Sequence, residues 1–494
     1  MIDYDRDGAL DLFATGGGSI NAAPAPPELR GRPSALFRNL SLLQFASVGP
    51  VAGFSDPPDY SLGCSAVDFD ADGFDDLFVC CFGASRLFHN QGDGTFHEVA
   101  GVLDRALDGF ASTAVWADVD RDGLPDLFLA RYVEWSPETD LPCLSNLGER
   151  DVCGPTGFPG TIPTVLHNEG DGRFDDWSRE LGIRGNSKGL GLLAADLDDD
   201  GWIDFYLAND ETANQLYWGG AARPLTEDGW GSGVAANELG MEEGSMGIGA
   251  GDYDGDGRLD VWVTNFESED NALYRNLGGR AFQYATVRAG LAGVSRMQVG
   301  FGTALADFDG DAWPDVLVLN GHAMYTTGQT PHAQRPQLFR NQGQGRFEEV
   351  SDRGGPYFRR PHAGRGNAVG DLDDDGAPDV VATHLNAPLS VLRNRHPPAS
   401  FLRVWLRGTG GALEAVGARV TVRNQERSHS QCVVRGAGYF SHSDDRLLFP
   451  LASDTSRVDV TVQWPGRALE TFHGLTTGTT HVLIEGRGTR DARP

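Results

Sequence analysis

The sequence predicts an all-β protein: a seven-bladed β-propeller followed by a small antiparallel β domain. Three observations predict it. An aspartate-rich nonapeptide recurs seven times, each copy sits between short apolar strand-like runs, and the chain beyond residue 397 changes to plain apolar–polar alternation.

The nonapeptide reads Asp-x-Asp-x-Asp-Gly-x-x-Asp. Its copies are DYDRDGALD (Asp3, Asp5, Asp7, Asp11), DFDADGFDD (Asp68, Asp70, Asp72, Asp76) and DVDRDGLPD (Asp118, Asp120, Asp122, Asp126). Next come DLDDDGWID (Asp196, Asp198, Asp200, Asp204) and DYDGDGRLD (Asp252, Asp254, Asp256, Asp260). The last two are DFDGDAWPD (Asp307, Asp309, Asp311, Asp315) and DLDDDGAPD (Asp371, Asp373, Asp375, Asp379). Four carboxylates so close repel unless a cation lies among them. The spacing matches the start of an EF-hand loop, where side chains one, three, five and nine and the carbonyl of seven face one calcium ion. Up to seven calcium ions are therefore expected. Glycine at position six supplies a φ > 0 turn. Only the sixth copy lacks it, and Ala312 there should cost about 1 kcal/mol.

The flanks are strands, which separates these loops from EF-hands. A small-residue strand precedes each loop ("GFGTALA", 300–306) and an apolar one follows ("DVWVTNF", 260–266). A third strand carries a repeated signature, "LFRN" at 36–39 and 338–341, "LFHN" at 87–90, "VLHN" at 165–168, "LYRN" at 273–276 and "VLRN" at 391–394. The fourth copy departs with "LYWG". A "GxF" turn opens a fourth strand in the better copies. Four antiparallel strands repeated every 50–78 residues indicate one propeller blade per repeat over 1–396. Repeat one lacks its first strand and repeat seven its fourth, so a closing strand and an export signal are expected upstream of Met1. Phe401–Leu406 is the alternative closing strand. Residues 397–486 form the second domain and 487–494 a disordered tail.

The net charge is −30, but 28 of the 70 acidic residues are the repeated aspartates of the loops. The acidity belongs to the repeats, and no basic patch suggests nucleic acid. No run of 18 apolar residues suggests a membrane span. Lys188 is the only lysine among 40 basic residues. Cys143 and Cys153 flank an irregular insertion and are expected to form a disulfide, which implies an oxidising compartment. Taking Asp68 and Asp76 as partners in a hairpin places Cys64 opposite Cys80, bridged or as buried thiols. Cys81 faces the other way, Cys432 has no evident partner, and no neighbouring base marks an activated thiolate.

No G-x-S-x-G, H-E-x-x-H or phosphate loop is present. The one polar group of residues that could serve as a site lies in the last two repeats: His322, His332, His362, Arg365, His384 and Asn386. His322, Arg365 and His384 are its candidate catalytic members.

The repeats resemble the FG-GAP/VCBS family, the unit of the integrin α-subunit propeller; "GFGTALADFDGD" carries its name-giving pattern. Residues 399–486, with "VGARVTV", "VRGAGYFSHSDDRLLFPLA" and "VDVTVQWPGR", are similar to the ASPIC/UnbV domain. The order propeller then ASPIC is that of the cartilage acidic protein family and its bacterial relatives. "WPGR" and "FPLAS" depart from the "WPSG" and "FGLG"-like forms usual there. The resemblance implies a secreted, periplasmic or cell-surface monomer that binds or adheres to a protein or glycan partner. The alternative is a calcium-dependent enzyme built on the propeller, as in secondary metabolism.

Overall fold

The computed structural model describes the chain except residues 22–25, 42, 56–58, 100–107, 146, 171, 326–329, 410–412, 425–426, 452–455 and 491–494. Each of the seven repeats forms its own antiparallel sheet. Repeats two, three, five and six have four strands in chain order; in repeat two these are Tyr60–Val67, Asp76–Phe82, Arg86–Asn90 and Phe96–Glu98. Repeats one and seven have three among the described residues: repeat one begins at the strand after its Asp loop, and repeat seven ends with its third strand. In repeats two to seven the Asp loop joins strand one to strand two.

Neighbouring sheets pack face to face through alternating apolar residues. Val115 and Phe128 meet Phe205 and Leu207 between repeats three and four, and Trp262 meets Phe339 between five and six. Leu10 and Leu12 of repeat one share a core with Leu372 and Val381 of repeat seven. At their inner edges the first strands nearly touch, and this is why they are built from small residues. A Cβ on Gly247 would lie 2.0 Å from the Phe301 carbonyl oxygen, and one on Gly302 would lie 2.3 Å from that of Arg365.

The second domain is a two-sheet module around Leu402, Val404, Val420, Val460 and Trp464. It is not wholly antiparallel: Ser400–Arg407 pairs parallel with Thr480–Ile484 and antiparallel with Leu447–Leu451. Those are its only strand partners among the described residues, so 401–406 does not complete repeat seven. Thr489–Arg490 pairs with Glu470 and Thr471. The ordered domain thus runs past 486; of the expected tail, residues 491–494 lie outside the described residues.

The hairpin register also differs from expectation. Val67 pairs with Asp76, and Cys64 with Val79, with a bulge between Ser61 and Cys64. The loop closes one residue earlier than assumed, so Cys64 does not face Cys80, and both are free thiols. The Cys143–Cys153 disulfide is present, with Cα atoms 5.3 Å apart.

Segment 433–446 of the second domain leaves that domain and runs along the repeat sheets. Arg435 and Gly436 pair with Ala194 and Leu193 of repeat four, and Gly438 exchanges hydrogen bonds with Ile248 of repeat five. Tyr439 meets the Phe301 ring of repeat six at 5.0 Å, and Asp444 N–H donates to the Val369 carbonyl of repeat seven at 3.0 Å. The Met1 ammonium donates to the His442 carbonyl at 2.7 Å. Gly63 of repeat two and Val115 of repeat three also border it. The segment thus touches residues of all seven repeats. Gly438 and Tyr439 pack against the propeller-like body rather than within their own domain.

One ion-pair cluster holds this segment. The Arg435 guanidinium is buried against Glu414 and lies 2.9 Å from Asp445. Burial opposes ionisation of Asp445, but Arg435 and then His442 outweigh it and hold the carboxyl well below the usual range. Arg435→Met would leave two carboxylates without their cation, a loss of about 3–5 kcal/mol. The expected result is a lower melting temperature and new proteolytic cleavage within 433–446; an unchanged digest would show that the segment does not depend on this pair.

Candidate metal loops and ligand cleft

All seven loops share one hydrogen-bond plan. The backbone at positions four and six turns through positive φ, as at Arg121 (+65°) and Gly123 (+104°). Ala312 adopts +70° at position six, so the sixth loop keeps the turn at the expected cost. The first aspartate accepts the N–H of residue six, as Asp118 does from Gly123 at 3.0 Å. The ninth opens strand two and is a buried strut. Asp126 accepts from Val119 N–H at 3.0 Å with one oxygen and from Asn168 N–H at 2.9 Å with the other.

The third-strand signature, which the sequence displayed without explaining, supplies two roles. Its arginine or histidine meets the outer oxygens of aspartates three and five. Arg38 lies 2.8 and 3.0 Å from Asp5 and Asp7, Arg340 lies 2.5 and 3.0 Å from Asp309 and Asp311, and Arg393 lies 2.6 and 3.2 Å from Asp373 and Asp375. Arg275 does the same in repeat five, while His89 and His167 occupy the position in two and three. Repeat four, with Trp218 there, borrows Arg280 from the following repeat, 2.5 Å from Asp198.

The signature asparagine links loops. Asn341 Nδ2 donates to Pro314 O of its own loop at 3.2 Å and to Tyr253 O of the preceding loop at 2.9 Å. Asn90, Asn168, Asn276 and Asn394 repeat this reach to Tyr4, Phe69, Leu197 and Phe308. Asn39 reaches Leu372, joining the first loop to the seventh at 2.9 Å.

The residues present fit a divalent cation. With the outer oxygens engaged, the inner Oδ1 atoms of Asp3, Asp68, Asp196, Asp5 and Asp373 are buried without a hydrogen-bond partner. Burial pushes Asp76, Asp260 and Asp315 up to about 8 despite their backbone donors. One arginine against four carboxylates leaves most of the charge unbalanced, and a bound calcium ion would supply the rest. Loop seven differs in that a second arginine, Arg403 of the second domain, pairs with its first aspartate, Asp371, as well as with Asp374.

The second domain covers this end of the molecule. Besides Arg403, Arg419 reaches Asp199 at 2.6 Å and Arg446 reaches Gly8 O at 3.2 Å. A cavity of about 520 Å³ under the domain is lined by Asp252, Asp307, Arg419 and Arg446. At the opposite strand ends lies a cleft of about 420 Å³ walled by Tyr60, Phe82, Phe110, Tyr132, Trp135 and Tyr325. Phe82 and Trp135 meet edge-on at 5.0 Å, and the Cys143–Cys153 insertion forms one wall through Val152 and Cys153. Tyr325, 54% exposed, marks its rim. Sequence analysis missed this cleft because its rings come from three distant repeats.

The polar cluster of repeats six and seven divides. His362 stacks on Tyr357 at 4.1 Å, and His384 takes the Tyr357 hydroxyl on Nε2 at 2.8 Å and meets the Pro388 carbonyl through Nδ1. His322 is buried, accepts Met324 N–H on Nδ1, and points Nε2 toward Glu267 at 3.5 Å. Arg365 donates to the His322 carbonyl at 3.1 Å, His332 stacks on Tyr325 at 4.7 Å, and Asn386 meets the Tyr325 hydroxyl at 3.4 Å. Burial lowers the pKa of both His322 and His384. These contacts tie the groups to one another and to neighbouring backbone carbonyls.

A body of Asp-loop sheets closed at one end by a small β domain defines a class, and comparison with known proteins agrees. Residues 68–129, 196–263 and 252–318 match the FG-GAP-like repeat, and residues 408–490 match the ASPIC and UnbV domain. The chain is an FG-GAP-like repeat protein with a C-terminal ASPIC and UnbV domain. It is similar to cartilage acidic protein 1 of Mus musculus, 24% identical over 94% of this chain and 70% of that protein. The Xenopus tropicalis protein of the same name is 25% identical over 83% and 71%. Among solved structures, an Agrocybe aegerita lectin that recognises non-reducing terminal N-acetylglucosamine aligns with TM-score 0.44 and 14% identity, over 77% of this chain and 91% of the lectin.

The loop-to-loop asparagines are testable. Asn341→Ala would strip Tyr253 O and Pro314 O of their donor and Gly343 N–H of its acceptor. Leaving these polar groups unpaired should cost about 2–4 kcal/mol in denaturant unfolding; a loss under about 0.5 kcal/mol would deny the link a structural role.

Proposed function

We propose that the seven sheets close into a seven-bladed propeller whose Asp loops hold calcium, and that it serves outside the cell as a monomeric binding or adhesion module for a protein or glycan. The observation that carries this reading is the division of the two ends. The loop end is occupied by the chain's own second domain, through Arg403, Arg419, Arg446 and segment 433–446. The opposite end keeps a concave aromatic surface open to solvent. Aromatic rings offer large contact area at little entropic cost, which suits recognition of sugar faces or of apolar side chains. Closure is supported by the core and the Asn39 hydrogen bond shared by repeats one and seven. The Cys143–Cys153 bridge supports an oxidising location and stiffens a wall of the cleft. Nothing in the polar cluster favours catalysis.

The full chain, calcium-saturated, is to be screened on immobilised glycans and matrix proteins beside Trp135→Ser and Tyr325→Ala. Binding that falls at least tenfold in both variants, with melting unchanged, is the expected result. A ligand retained equally by both variants would move the binding surface elsewhere.

A further inference from the structure

Repeat three departs from the one-arginine plan in a way that changes its chemistry. His167, only 6% exposed, replaces arginine on the third strand. Its Nδ1 faces Glu169 Oε1 at 3.0 Å, and its ring stacks on Trp177 with centroids 3.5 Å apart and planes 8° apart. The Glu169 carboxylate accepts from Nδ1–H, which fixes the ring and turns Nε2 toward the loop. That atom has no hydrogen-bond partner and is aimed at Asp120 Oδ2 (3.3 Å), Asp122 Oδ2 (3.5 Å) and Asp126 Oδ1 (4.0 Å).

The distances separate two readings. An imidazolium standing in for arginine would close to about 2.7–2.9 Å on a carboxylate, as Arg340 and Arg393 do on Asp309 and Asp373 at 2.5 and 2.6 Å. Ligand atoms about 2.0–2.1 Å from a shared tetrahedral ion lie roughly 3.4 Å apart, which is the spacing found. The compensating charge of this loop comes instead from Arg223, which meets Asp120 Oδ2 at 2.7 Å and stacks over Trp177 at 3.7 Å. His167 is thereby freed from that duty. A histidine whose far nitrogen is fixed by a carboxylate is the arrangement that orients imidazole toward a metal.

We propose that loop three holds a borderline divalent transition ion of the zinc type through His167 Nε2 and the outer oxygens of Asp120 and Asp122. The ion lies beside the calcium position of the same loop and shares its carboxylates. Arg223, 39% exposed, swings off Asp120 to admit it. Nitrogen with carboxylate ligands selects this class of metal over calcium, which takes oxygen alone. Loop two offers the related set His89, Asp70 and Asp72 in a more exposed setting.

The inference rests on the loops being cation sites, and the experiment separates the two. Zinc chloride is titrated by calorimetry into the full chain in saturating calcium, with bound calcium counted in the same samples. His167→Arg restores the plan of repeats five to seven and should fold normally, and Glu169→Gln loosens only the ring's orientation. The expected result is one zinc fewer per chain in His167→Arg and affinity about 10–100-fold weaker in Glu169→Gln. Calcium bound but zinc isotherms identical in wild type and His167→Arg would overturn this site alone. Neither metal bound would overturn the cation reading of the loops as well.

Discussion

Everything in this fold depends on cancelling the repulsion of carboxylates gathered at one end of seven hairpins. Each ninth aspartate is buried at the start of an apolar strand, where an unpaired charge is expensive. Part of the cancellation is built into the chain: backbone N–H groups inside each loop, a basic third-strand side chain on the outer oxygens, and arginines of the second domain. The remainder falls on the inner oxygens, which are buried without partners. The signature asparagines tie six of the seven loops to the preceding one, repeat four having Gly219 there.

The second structural device is segment 433–446. The first strands of neighbouring repeats approach so closely that Cβ atoms at Gly247 or Gly302 would collide with the next backbone. Their strand edges still carry free hydrogen-bonding groups. Residues 433–446 satisfy some of them by pairing with repeats four and five, and their Arg435 and Asp445, with Glu414 of the second domain, form an ionic anchor. The ASPIC domain and the repeats are thus one packed unit, which explains why its arginines reach the Asp loops.

Much of this was legible in the sequence. The loops, their strand flanks, the fourth repeat's irregularity and the disulfide all follow from local rules of spacing and turn chemistry. What failed was non-local. The Cys64–Cys80 pairing assumed that Asp68 faces Asp76, whereas Val67 does, and this moves the whole register through Cys64 by one residue. The parallel pairing of Ser400–Arg407 with Thr480–Ile484 joins segments far apart in the chain, and no alternation pattern encodes it. The "LFRN" signature was visible, but its two jobs appear only when Arg and Asn are seen against two different loops. The path of 433–446 was invisible because a Gly-rich turn looks the same whether it faces solvent or a neighbouring sheet.

The most direct test of the central claim is calcium stoichiometry together with thermal melting, with and without a chelator. The account predicts six or seven ions per chain, loop seven being the weakest, and a large fall in melting temperature on chelation. One or two ions with an unchanged melting temperature would mean that protein groups alone balance the loops, and the calcium-stabilised propeller would have to be given up.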